Sequence, residues 1–214
     1  MNSPSSFLNL LQPFSNFLRE HFIFLALSFL VLYTRIPHSF AFHFPDASIS
    51  SFFVIGFLSQ TKTAKTQLTY FLSLTLLTVF IDLYACFVTG ISSYCLTWAY
   101  LMLPATYFIT FTSGIYSFNH FNKIQILAFS FLVYIQAFLT SNLSFYLFSG
   151  YFDSLSLAEY FSSVFKFSYS YVGNSVFYTF VTLLPIFMYF SITKARTVLA
   201  IKRNTSNLDK FLVS

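Results

Sequence analysis

The sequence predicts an all-α fold: a polytopic membrane helix bundle of about six transmembrane helices, with an interfacial or re-entrant helix between spans five and six. Three observations carry that expectation. Asp, Glu, Lys and Arg make up 8% of the 214 residues, against about 25% in an ordinary soluble domain. Hydrophobic residues make up 57%, and the mean hydropathy is +0.71. So few charges cannot cover the surface of a soluble chain of this size, whereas lipid requires an apolar exterior. The third observation is the distribution of basic residues among the loops, which follows from the spans.

Phe7, Leu8, Leu11, Phe14 and Leu18 recur at helical spacing and predict a short interfacial helix. No Lys or Arg precedes Arg19, and Pro13 breaks the first apolar stretch, so this is not a clear signal peptide. Residues 1–20 thus read as an N-terminal cytoplasmic or interfacial segment, 21–193 as a six-span transmembrane domain and 194–214 as a basic cytoplasmic tail.

The first span is expected from about Phe22 to Thr34, closed by Arg35, Pro37 and His38. The second runs from near Ala47 to near Gln60, before Lys62 and Lys65. The third covers about Thr66 to Ile81, with Asp82 at its end. The fourth is placed from about Ile91 to Ile115, with Pro104 inside it and expected to kink it. The fifth is about Ile124 to Thr140, and the sixth about Ser175 to Thr193, with Pro185 inside. Between them, Leu157, Tyr160, Phe161, Val164, Phe165 and Ser168 lie at helical spacing and suggest an amphipathic helix at the membrane surface. A seventh, tilted span is the competing reading of that stretch.

Loop charge decides between six spans and seven. With the N-terminus inside, nine basic residues fall on the cytoplasmic side: Arg19, Lys62, Lys65, Lys123, Lys194, Arg196, Lys202, Arg203 and Lys210. Only Arg35 and Lys166 fall outside, as the positive-inside rule requires. Seven spans would put the basic tail on the wrong side.

The charge pattern excludes a nucleic-acid partner, because no basic face carries interleaved aromatics. H-E-x-x-H, G-x-S-x-G and the phosphate-loop pattern are missing, so no enzyme class, nucleotide or other cofactor is expected. His38, His43 and Asp46 fit no metal-ligand spacing, and no metal is expected. Cys86 and Cys95 fall near the same surface, where they are either a disulfide or two ordinary small residues. The 33 Phe residues read as Leu substitutes on lipid-facing positions, or as aromatic ligand sites.

The polar side chains gather at the expected external end. Arg35, His38, His43 and Asp46 share one loop, Asp82 closes a helix, and Asn142, Asp153, Glu159, Lys166 and Asn174 follow in a third segment. Ionisable groups at the hydrocarbon boundary need partners and often line a substrate path. The plainer readings are that Arg35 snorkels and complements a helix C-terminus, and that Asp82 pairs with Arg35 or caps a turn.

Ser141-Asn142, with Phe145-Tyr146-Leu147, then Tyr151 with Ser154-Leu155, then Gly173-Asn174 with Phe177-Tyr178-Thr179, stand in a recognisable order. So do Arg35-Ile36-Pro37-His38, Phe44-Pro45 and Asp82. From about Arg35 to Pro185 the chain resembles an uncharacterised bacterial family of small six-helix integral membrane proteins. That family in turn resembles the S components of energy-coupling-factor (vitamin) transporters. The resemblance implies a bacterial inner-membrane protein, multi-pass, with both termini cytoplasmic and a ligand pocket under the external loops. The expected small-molecule-binding residues are Arg35, His38, Asp82, Asn142, Tyr146, Asn174 and Tyr178. Two departures stand out: Gly173-Asn174 replaces the family's Gly-Asp, and the chain has no Ala-x-x-x-Ala helix-packing motif. The lipid bilayer is the expected surrounding, with a small molecule or a membrane protein as partner. The alternative is a structural or assembly membrane protein with no ligand. A third reading, an enzyme acting on lipid or quinone, rests on His38, His43 and Asp46.

Overall fold

The computed structural model describes residues 21–36, 45–88 and 97–188. Among them there is no strand, and six helices account for most of these described residues. They are α1 (His21–Arg35), α2 (Ser48–Ser59), α3 (Ala64–Phe87), α4 (Leu103–His120), α5 (Lys123–Phe148) and α6 (Leu157–Met188). The expected N-terminal helix, His38, Cys95, the basic tail and the end of the sixth span lie outside the described residues.

Local chemistry sets the helix starts. The Thr63 hydroxyl accepts from the Thr66 amide ahead of α3. Asn122 and Gln125 form a reciprocal capping box at α5, and Ser156 and Glu159 form another at α6. Pro104 corrects the expectation of a mid-span kink. It occupies the first turn of α4, where its missing N–H is an orphan donor in any case and its fixed φ suits the helix. The fourth helix therefore starts later than the sequence suggested, after a 3-10 turn at Trp98–Met102.

Helix α5 is longer than expected and absorbs Ser141 to Phe148. The polar residues of this added stretch satisfy themselves within the helix. Ser141 Oγ and Asn142 Nδ2 both donate to the Phe138 carbonyl, and Ser144 Oγ donates to Thr140. The amphipathic stretch after Leu157 is helical over Leu157–Val164. A 3-10 turn at Phe165–Phe167 joins it to the rest of α6. At 1.5 Å per residue this 32-residue helix is about 48 Å long, well beyond the roughly 30 Å hydrocarbon core.

Helices α3, α5 and α6 are long and apolar enough to cross a membrane, and only about a third or less of each apolar window is buried inside the protein. Leu76, Phe80, Leu132 and Phe177 stand outward and exposed. Helix α2 is the opposite case. Only Leu58 of its twelve residues is not buried. At about 18 Å it is a short apolar helix at the centre of the packing.

Helices α2 and α4 form the closest crossing, and two glycines make it possible. A Cβ at Gly56 would lie 2.1 Å from the Phe111 carbonyl oxygen, and one at Gly114 would lie 2.1 Å from that of Phe53. Around this crossing, Phe52 stacks on Tyr107 and Phe53 meets Tyr134 edge-on. The deeply buried Tyr134 hydroxyl is hydrogen-bonded to Thr179, tying α5 to α6.

The chain reverses at each turn, which separates the charges. Lys62, Lys65 and Lys123 lie at the α2–α3 and α4–α5 turns, the basic end. Asp46, Asp82, Asp153 and Glu159, with Arg35 and Lys166, lie toward the other, acidic end.

Candidate functional site

One polar network at the acidic end collects side chains from α1, α2, α3, α4 and the 3-10 turn, with Asp46 just ahead of α2. Arg35, the last residue of α1, meets Asp82 near the end of α3 in a forked ion pair: Nε donates to Oδ1 at 2.6 Å and an Nη to Oδ2 at 2.7 Å. The other Nη donates to Asp46 at 2.8 Å, to Ser48 Oγ at 2.8 Å and to the Tyr107 hydroxyl at 3.2 Å. Tyr100, in the 3-10 turn, donates to Asp82 at 2.7 Å. Asp46 accepts from both the backbone amide and the hydroxyl of Ser48, holding the first turn of α2 where no capping side chain precedes it.

The planar guanidinium explains why arginine suits this place. Its donors fan out toward two carboxylates and two hydroxyls at once, which the point charge of a lysine cannot match. The Arg35 and Asp82 side chains are 14% and 20% exposed, while Asp46 is 51% exposed. The pair is thus largely withdrawn from water, and Asp46 forms its open rim. One cation between two carboxylates leaves the cluster with one formal negative charge. Burial, followed by the bond to Asp82, pushes the Tyr100 hydroxyl well above its ordinary range, so it remains a donor.

Beside the network is an open recess of about 510 Å³, lined by Leu83, Thr97, Trp98, Tyr100, Leu101 and Ser149. Tyr100 belongs to both the network and the recess. The Thr97 hydroxyl is buried and has no hydrogen-bond partner among the described residues.

Of the side chains expected to bind a small molecule, Arg35 and Asp82 come together. Tyr178 reaches the same end, where its hydroxyl donates to the Pro45 carbonyl at 2.9 Å, beside Asp46. Asn142 and Tyr146 belong to a neighbouring aromatic cluster. The Tyr146 hydroxyl donates to the Leu155 carbonyl and closes the α5–α6 turn, with its ring against Tyr160 and Phe152. Tyr160 reaches Asn142 only at 3.4 Å. Asn174 donates to Ser170 one turn back on its own helix and does not join the network. His38 lies outside the described residues. Ser48, Tyr100 and Tyr107 were not expected here. The only sequence hint was two tyrosines flanking Pro104, which a reading of residues 91–115 as one span conceals.

No group of three or more potential metal ligands occurs among the described residues. Cys86 forms no disulfide among the described residues, and Cys95 lies outside them. The chain matches no family model. No curated protein sequence matches it either. Fold and composition define an all-helical protein with three helices capable of crossing a membrane.

Proposed function

We propose that the chain is a multi-pass membrane protein of the S-component plan, which captures a small molecule at its acidic, outward-facing end. In this reading it crosses the membrane about six times, with both termini on the cytoplasmic side. The observation that carries it is the concentration of hydrogen-bonding and ionic side chains at one end of an otherwise apolar bundle, beside a recess of about 510 Å³. Maintaining such a cluster at a hydrocarbon boundary is costly, and clusters of this kind usually mark function. Lys62, Lys65 and Lys123 at the opposite end support the orientation.

The network also assigns roles within the reading. Arg35 and Asp82 are saturated by one another and by Tyr100, Tyr107, Ser48 and Asp46. They act as a staple that positions the recess rather than as the groups that hold the ligand. Tyr100, Thr97 and Trp98 face the recess and are the contact residues. The charge surplus of the cluster favours a neutral or cationic ligand over an anion.

Native mass spectrometry of the purified full chain tests this. The expected result is a co-purifying small molecule that is lost in Trp98→Ala and Thr97→Val while the fold is kept. The second reading, a structural membrane protein with no ligand, is favoured by the closure of the Arg35 network. A chain that carries no adduct, and whose variants behave as the parent does, would decide for it.

A further inference from the structure

No Lys, Arg or His lines the recess beside Tyr100. Tyr100 gives its proton to Asp82 at 2.7 Å. Toward a ligand its oxygen therefore presents lone pairs alone, and donation to a carboxylate makes that oxygen a stronger acceptor. Thr97 Oγ, at the cap position of the 3-10 turn, makes no cap bond and has no partner among the described residues. Trp98 is 79% exposed, which leaves its ring open to a ligand. Leu83 and Leu101 complete an apolar wall. The same end of the bundle holds Asp46, Asp82, Asp153 and Glu159 against Arg35 and Lys166.

We infer that this recess takes a small organic cation, a primary ammonium carried on an apolar or aromatic body. The ammonium donates to the Tyr100 oxygen, with the unpartnered Thr97 hydroxyl as a second acceptor. Its charge lies against the Trp98 ring, and its body covers Leu83 and Leu101. An anion would find no cationic donor in the lining and a surplus of carboxylates nearby. A neutral molecule would gain the apolar wall, but neither the attraction of the ring for positive charge nor a charge-assisted hydrogen bond. The inference rests on the proposed capture of a small molecule at this end and narrows its chemistry.

Trp98 is the only tryptophan of the chain, so its fluorescence reports the recess directly. The purified full chain in detergent is titrated near neutral pH with benzylammonium, benzyl alcohol and benzoate, which share a ring and differ in charge. Saturable quenching is expected, with benzylammonium bound about tenfold more tightly than the alcohol, from one charge-assisted hydrogen bond and one cation–π contact. Benzoate should bind most weakly. Tyr100→Phe removes the acceptor and should cut the preference to about threefold, the share of the ring. Asp46→Asn removes a charge from the rim and should weaken benzylammonium alone, which keeps a readout if Tyr100→Phe does not fold. Equal affinity of the parent chain for ammonium and alcohol would overturn the ammonium assignment, while a neutral adduct in native mass spectrometry would leave small-molecule capture standing. A preference that both variants keep in full, or a Trp98 signal that answers to none of the three probes, would overturn it as well.

Discussion

Arg35 and Asp82, 47 positions apart in sequence, face each other as a two-pronged ion pair at 2.6 and 2.7 Å. This contact joins the end of α1 to the end of α3. Its neighbours Asp46, Ser48 and Tyr107 extend the junction to α2 and α4. Removing Arg35 strands Asp82, and removing Asp82 leaves Arg35 only the more exposed Asp46 as counter-charge. Asp82→Asn and Arg35→Ala are each expected to cost about 2–3 kcal/mol, below the 3–5 kcal/mol of a fully buried pair because both side chains retain some exposure. Arg35→Lys keeps the charge but loses the fork, and should fall between these variants and the parent. Thermal unfolding in detergent, followed by size-exclusion chromatography, reads the order. Equal stability of parent and Asp82→Asn would remove the staple from the description.

The glycines give a sharper contrast. Gly56→Ala and Gly114→Ala each place a methyl 2.1 Å from a carbonyl oxygen of the facing helix, so the backbones must separate. A loss of about 1–3 kcal/mol or more is expected, with a smaller folded fraction. Gly173→Ala meets nothing within 4 Å and sits inside α6, where alanine is the better helix former by about 0.5–1 kcal/mol. Gly150 has φ of +75°, so Gly150→Ala should cost about 1–2 kcal/mol from the left-handed backbone alone. The four variants measured side by side should rank in this way.

Tyr134 is fully buried, and its hydroxyl bonds to Thr179. The Thr179 hydroxyl also donates to the Ser175 carbonyl one turn back, so it keeps a partner when the tyrosine is changed. Tyr134→Phe should therefore cost only about 1 kcal/mol. Tyr134→Ala, which also opens a cavity beside Phe53, should cost about 3–5 kcal/mol. Parallel melts of the two variants separate the hydrogen bond from the packing.

The helical class and the apolar exterior were legible because they depend on composition, which folding does not alter. Helix ends were less legible. In water, Ser141, Asn142 and Ser144 signal a loop, since they compete with the backbone for hydrogen bonds. Surrounded by apolar side chains, they turn back to carbonyls three or four residues earlier and let α5 continue. Pro104 misled in the same way: its chemistry suits a first turn as well as a kink, and residues 98–102 gave no capping signal to choose. The pairing of Arg35 with Asp82 was foreseeable from charge alone. Tyr100 and Tyr107 were not, because hydroxyls in an aromatic-rich chain carry no positional mark until the helices are packed. The central burial of α2 was equally hidden, since a short apolar run reads alike whether protein or lipid surrounds it.

Placement of the bundle across a membrane, acidic end outward, is most directly measured by cysteine labelling in intact bacterial cells. With Cys86 and Cys95 replaced by serine, Asp153→Cys should react with a membrane-impermeant maleimide. Lys65→Cys should react only after permeabilisation. Labelling of Lys65→Cys in intact cells, with Asp153→Cys protected, would invert the orientation. Equal labelling of both would contradict a membrane-spanning bundle.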